Sequence, residues 1–249
     1  MRLTILGSAA SYPGAGHACA GYLVSTASTN VMLDCGNGSL ANLARVLDPT
    51  HLDAVFVTHP HVDHFADIYA LQAALRYAPS GAMPPLPLHL PEGLFARMGA
   101  VLSRHGAAEL ASAFTPHDLA EAVPLRVGDL TITPLLVEHV SPTYALRVEA
   151  DGVRLVYTAD CMPGEAAERA AEGASLLVAD ATLPPAYEGR APHMTPSQAA
   201  GLAARAGART LVLTHLWPSV DREAAAADAR ERFGGRVIVA EELTSVEID

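Results

Sequence analysis

Within six residues, His59, His61, Asp63 and His64 form a His-x-His-x-Asp-His string that follows an apolar run and precedes a segment with helical spacing. Imidazole nitrogens and carboxylate oxygens bind divalent cations, and a loop between a strand and a helix can aim several of them at one place. His59 and His61 stand two apart in extended chain and project to one side, whereas Asp63 and His64 turn with the helix start. The string therefore fits two ions better than one. Neither ion completes its ligand set from this loop. His139, Asp160 and His215 each lie just past the end of another strand-like run and are the best further candidates. A carboxylate bridging two ions about 3.5 to 4 Å apart would complete a hydrolytic site.

The elements that must carry these residues follow from apolar periodicity. Alternating or continuous apolar runs predict strands at 2–6, 21–25, 30–34, 53–58, 131–138, 144–150, 153–158, 175–179, 210–214 and 237–240. A further short strand is expected in the proline-dense stretch 84–91. Apolar steps of three and four predict helices at 39–47, 63–77, 93–103, 165–171, 196–206 and 222–233, with Asp63 capping the second and Thr195 the fifth. Asp151-Gly152 is a two-residue turn that joins 144–150 and 153–158 as a hairpin. Residues 184–192, which contain four prolines or glycines, are the best candidate for a mobile loop.

Composition bounds the function classes. The 249 residues are 50% hydrophobic and 17% charged, with a mean hydropathy of +0.22, which excludes a disordered chain, a coiled coil and a low-complexity scaffold. No compositional shift marks a linker, so a single domain over 1–249 is expected. Sixteen basic against 27 acidic residues give a net charge of -11, the wrong sign for broad attraction to a phosphate backbone. Cys19, Cys35 and Cys161 have no metal or disulfide spacing and read as buried thiols in a reducing cytosol. The N-terminus lacks a signal-peptide pattern and no run of 18 apolar residues occurs, so a cytoplasmic protein without membrane contact is expected.

A GSxxSYPG turn near the N-terminus, LDCGNG at 33–38, VTHPHVDH at 57–64, His139, the TADC segment with Asp160 and LTHLWP with His215 follow one another in an order that resembles the metallo-β-lactamase fold superfamily. The resemblance covers essentially the whole chain. It implies an α/β fold, a four-layer αββα sandwich of two mixed β-sheets flanked by helices. It also implies that His59, His61 and His139 hold one metal, that Asp63, His64 and His215 hold a second, and that Asp160 bridges them. A hydroxide between the ions would be the nucleophile, with Asp63 orienting it. Zinc is the first choice for this His-rich set, with manganese or iron next because two aspartates supply hard oxygen.

The superfamily hosts many chemistries, so local features must choose among them. LDCGNG is similar to the DCGEG of the ribonuclease Z-like branch, and His193-Met194-Thr195 stands where that branch has His-Ser-Thr before a helix. The branch's His acts with an upstream carboxylate near the scissile phosphate, which here would be Asp180, one methylene shorter than the usual Glu. His193 would contact the phosphate or protonate the leaving group. Only 20 residues separate His139 from Asp160, room for one hairpin and not for the long arm with which the transfer-RNA processing enzymes grip their substrate. A dinuclear phosphodiesterase acting on cyclic nucleotides or small nucleotide diesters is the leading expectation. A transfer-RNA 3′-processing endoribonuclease and a lactone or thioester hydrolase are the alternatives. His17, in the GAGHACAG loop, is a further candidate for substrate contact, and Tyr12, Tyr187 and Trp217 serve either packing or base stacking. The resemblance also suggests a homodimer.

Overall fold

The computed structural model describes residues 1–79 and 81–249. The first six strands, β1 (Arg2–Gly7), β2 (Gly21–Ser25), β3 (Asn30–Cys35), β4 (Ala54–Phe56), β5 (Leu86–Leu90) and β6 (Phe114–Asp118), lie side by side in chain order in one sheet. The next seven, β7 (Leu125–Val127), β8 (Leu130–Val137), β9 (Thr143–Ala150), β10 (Val153–Tyr157), β11 (Leu176–Asp180), β12 (Thr210–Thr214) and β13 (Arg236–Val239), form the second sheet, again in order. The chain then returns, and β14 (Ser245–Glu247) pairs with β1 at the edge of the first sheet.

Each sheet is mixed. Strands joined by short turns pair antiparallel, as β8, β9 and β10 do, whereas strands separated by a helix pair parallel, as β3 to β6 and β10 to β13 do. Asp151 and Gly152 both have positive φ, as the predicted hairpin between β9 and β10 requires.

Strand periodicity divides the apolar residues between layers. Leu3, Ile5, Tyr22, Val31, Leu33 and Phe56 of the first sheet meet Ile132, Leu146, Val148, Leu155, Tyr157 and Val212 of the second in the central core. The alternate positions face outward and are covered by helices. On the first sheet these are α1 (Ser39–Leu43), α2 (Ile68–Arg76), α3 (Leu94–Ala100) and α4 (Arg104–Ala113), packed on Met32, Val55 and Leu88. On the second they are α5 (Glu165–Ala171), α6 (Pro196–Ala206) and α7 (Arg222–Arg230), whose buried faces are largely alanine and so let the helices approach Val156, Leu177 and Leu213 closely. The architecture is the expected four-layer αββα sandwich.

Several boundaries differ from the periodicity. The second helix starts at Ile68 and not at Asp63, and residues Val62–His64 form a separate 3-10 turn. Asp63 caps nothing: its carboxylate accepts a hydrogen bond from Ser11 N across the chain. Asp67 replaces it at the N-cap position, and its own carboxylate accepts from Gly38 N and Leu40 N, tying α2 to the start of α1. The helices expected at 39–47, 93–103 and 222–233 end earlier, at Leu43, Ala100 and Arg230. Four elements carry no periodic signal: α4 is interrupted by Gly106, β6 is an exposed polar edge strand containing Pro116, and β7 and β14 span three residues each. Thr195 caps α6 as predicted, in a reciprocal capping box with Gln198.

Candidate metal centre

The parallel arrangement brings the carboxyl ends of β3, β4, β8, β10, β11 and β12 to one edge of the sandwich, where open α/β sheets bind ligands. Asp34 belongs to the end of β3, His59 follows β4, His139 follows β8, Asp160 follows β10, Asp180 closes β11 and His215 follows β12. Backbone strain concentrates here. Ser11, Asp34, Ala159 and His215 all have φ between 53 and 65°, a region that costs a non-glycine residue about 1 kcal/mol or more and persists only where surrounding contacts enforce it.

Nine side chains converge in three groups whose donor atoms lie within 4.8 Å of one another: His59, His61, His139 and Asp160; Asp63, His64 and His215; and Asp160, Asp180, His193 and His215, which overlaps both of the others. His59 Nε2 lies 3.0 Å from His61 Nδ1, and His61 Nδ1 lies 3.4 Å from His139 Nε2. Across the centre, His215 Nε2 is 3.3 Å from both His64 Nε2 and Asp63 Oδ2. Asp160 stands between the sets: Oδ2 is 3.5 Å from His59 Nε2, and Oδ1 is 3.4 Å from His64 Nε2. The structure thus brings together the seven residues that the sequence and the resemblance singled out.

The donor chemistry fits divalent cations. Burial pushes His59, His61 and His139 below the usual imidazole range, which keeps their nitrogens neutral and able to coordinate. Burial alone would raise Asp63 and Asp160, but neighbouring histidines outweigh it and hold both carboxyls well below the usual range, so both are anionic. Asp160 Oδ1 is buried and makes no hydrogen bond, an orphan acceptor whose desolvation a cation would offset.

Residues outside the predicted set orient these ligands. His64 Nδ1 is 2.7 Å from Asp34 Oδ2, and that carboxylate also receives Thr58 N, Thr58 Oγ1 and the Tyr157 hydroxyl. His215 Nδ1 is 2.7 Å from Thr182 Oγ1, His139 Nδ1 is 3.0 Å from the Pro192 carbonyl, and His59 Nδ1 is 3.0 Å from Thr58 Oγ1. Each of these four imidazoles thus has one nitrogen fixed by the fold and the other turned inward, the arrangement metal-ligating histidines require. Asp34 and Gly36 lie in the LDCGNG segment noted from sequence, but their contacts are not readable there. Gly36 is obligatory because a Cβ would sit 2.0 Å from the Asp63 carbonyl.

His193 and Asp180 are also brought to the centre. His193 Nδ1 is 2.8 Å from Asp180 Oδ2, and its ring lies 5.0 Å from that of His139 and 5.5 Å from that of His215. Asp180 is fully buried and receives Cys161 N, Thr182 N and Thr182 Oγ1 besides His193, which occupies both of its oxygens. Burial opposes charge on His193, but the hydrogen bond and the charge of Asp180 prevail and raise its pKa.

His17 is placed otherwise. Its Nδ1 is 2.9 Å from Glu242 Oε2 and 3.3 Å from Arg222 Nη2. Glu242 Oε1 in turn accepts Ser8 N, Ser8 Oγ and Ala18 N, so the group anchors the loop that presents Ser11 to Asp63. His17 is not among the clustered metal-ligating groups. The three cysteines are free and buried, and burial pushes the Cys19 thiol up to about 12.

The family described as Beta-lactamase superfamily domain matches residues 29–216, which include every clustered His and Asp. The chain belongs to the beta-lactamase superfamily. The Mycobacterium tuberculosis protein Rv1339 is 31% identical over 244 residues, covering 95% of this chain and 88% of that protein. A ribonuclease Z of Mycobacterium bovis is 30% identical over 279 aligned positions, covering 100% of this chain and 98% of the enzyme. The crystal structure of the metallo-beta-lactamase fold protein YhfI from Bacillus subtilis superimposes with a TM-score of 0.88 at 28% identity over 99% of both chains. The superfamily's ribonuclease Z-like branch is therefore the right neighbourhood, and the fold is that of a metallo-hydrolase. Among the described residues no helix is long and apolar enough to cross a membrane.

Proposed function

We propose that this protein is a dinuclear metal-dependent phosphodiesterase acting on cyclic nucleotides or other small nucleotide diesters. The observation that carries the reading is the Asp180–His193 pair, 2.8 Å apart beside the two ligand sets. Hydrolysis of a phosphodiester expels an alkoxide, a poor leaving group that benefits from a positioned acid, whereas a thioester's thiolate leaves without one. A raised pKa keeps His193 protonated nearer neutrality, and only 16% of its side chain is exposed. The ribonuclease Z named among the relatives supports phosphodiester chemistry.

His59, His61 and His139 would hold one ion and Asp63, His64 and His215 the other, with Asp160 between them. Zinc is the first choice, with manganese or iron next. Two such ions supply Lewis acidity toward the phosphoryl oxygens and activate water for in-line attack. Asp63, whose Oδ2 accepts from Ser11 N at 2.7 Å, would orient the attacking water by accepting a hydrogen bond from it. His193 delivers the proton from Nε2 to the departing oxygen, because Nδ1 is committed to Asp180. The β9–β10 hairpin fills the interval between His139 and Asp160 and leaves no gripping arm, so the substrate is small.

Hydrolysis of bis(p-nitrophenyl) phosphate by zinc- or manganese-loaded protein tests the reading, with Asp63→Ala alongside. Turnover that the substitution abolishes is expected. Absence of turnover in protein shown to carry both metals would reject it and point to lactone or thioester substrates.

A further inference from the structure

Outside its histidine pairs, the described part of the molecule contains two aromatic pairs. Tyr22 and Tyr157 lie in the core. Tyr187 and Trp217 form the other, with ring centroids 6.0 Å apart and planes at 84°. Trp217 is two residues beyond His215, and Tyr187 lies in the 183–193 loop that ends at His193. Both ends of that loop are tied down, by Leu183 N to the Met194 carbonyl and by the bond from His193 to Asp180. The aromatic corner is therefore held in fixed relation to the proposed acid.

Tyr187 is 46% exposed, an apolar area that core packing does not explain. Over its ring, at 5.3 Å from the centroid, sits the guanidinium of Arg190. In a chain with 27 acidic and 16 basic residues, Arg190 pairs with no carboxylate among the described residues. Its guanidinium is exposed, close in sequence to His193, and free to meet an anion.

We infer that Trp217, Tyr187 and Arg190 form a specificity subsite for the base-bearing part of a nucleotide. A planar heterocycle lies flat on one ring of the corner and meets the edge of the other, while the guanidinium attracts the neighbouring phosphate. Both are geometries that aromatic and cationic groups favour. The inference rests on the phosphodiesterase reading and deepens it by naming the residues that would hold the base.

Trp217 is the sole tryptophan, so its emission reports on the subsite without any turnover. Metal-loaded protein is titrated with adenosine 5′-monophosphate, and in parallel with ribose 5-phosphate, which has the phosphate but no base. Saturable quenching by the nucleotide and none by ribose 5-phosphate is expected. Tyr187→Ala and Arg190→Gln should each weaken the apparent affinity by about tenfold, while Tyr187→Phe retains it. With a nucleotide diester as substrate, Tyr187→Ala should raise KM more than it lowers kcat. Equal quenching by both ligands, no quenching by either, or a nucleotide titration unchanged in Tyr187→Ala and Arg190→Gln would overturn the subsite. Turnover of bis(p-nitrophenyl) phosphate without nucleotide quenching retains the hydrolase and rejects the subsite. Quenching that follows the expected pattern in a protein that turns over no diester retains the subsite and rejects the hydrolase.

Discussion

Asp34 and His64 are thirty residues apart, yet Asp34 Oδ2 lies 2.7 Å from His64 Nδ1 in a pair from which solvent is excluded. The bond fixes which imidazole nitrogen faces the centre. Asp34 adopts a positive φ to make it and receives three further donors from Thr58 and Tyr157. Asp34→Asn keeps the shape but removes the anion. The expected result is a 10- to 100-fold loss of affinity at the Asp63, His64 and His215 set, read by calorimetric zinc titration, with the other set little changed. Two unaltered binding steps would deny Asp34 its orienting role.

The Tyr157 hydroxyl spans the sandwich from β10 to Asp34, at 2.8 Å. Removing it with Tyr157→Phe leaves a buried carboxylate short of one donor. A loss of about 1 to 3 kcal/mol in urea denaturation is expected, larger than a surface tyrosine change would give.

His193→Ala should lower turnover of an alkyl phosphodiester by about 10²-fold or more. Diesters with a good leaving group, such as p-nitrophenolate, should suffer much less, because they need no proton. Asp180→Asn should weaken the same distinction through a mispositioned His193. A loss independent of leaving group would remove the acid assignment.

His89 gives a stability signature separate from the site. It is 8% exposed, stacked on Phe56 at 4.3 Å and on His117 at 4.9 Å, and burial, aided by His117, pushes its pKa down to about 4. The unfolded chain takes up the proton near pH 6.5, so between about pH 6.5 and 4 the unfolded state binds more protons. The contribution is complete above this window and is lost as pH falls through it, about 3 kcal/mol at the limit. His89→Leu should flatten this part of the stability curve measured by denaturant titration. A curve parallel to that of the unsubstituted protein would show that His89 is not its source.

Chelation supplies a further measurement. Protein saturated with zinc at 100 times its Kd gains about 2.7 kcal/mol over the metal-free form, so excess EDTA should lower Tm by several degrees. In His59→Ala the drop should shrink. An EDTA-insensitive Tm in protein proven to hold zinc would contradict coupling of these ligands to the folded state.

The residues that cluster at the candidate centre were legible because their logic is local. His59, His61, Asp63 and His64 share one turn, and His139, Asp160 and His215 each end an apolar run whose strand character is visible from side-chain alternation. The αββα layering is also a matter of pattern, since strands and covering helices alternate in the order that sets parallel pairing. The misplaced start of α2 shows the limit of such reading. Asp63 has the residue type and position of a helix cap, but Ser11 N from a distant loop takes its carboxylate. Contacts between segments decided the remainder: Asp34 against His64, Tyr157 across the two sheets, Thr182 on His215, and His17 turned to Glu242. A hydrogen bond forms over less than one residue's length, and its partner depends on strand register and loop path summed over the whole fold. Sequence by itself therefore determined which atoms can bind metal, and tertiary structure alone decided which nitrogen each histidine presents and what surrounds it.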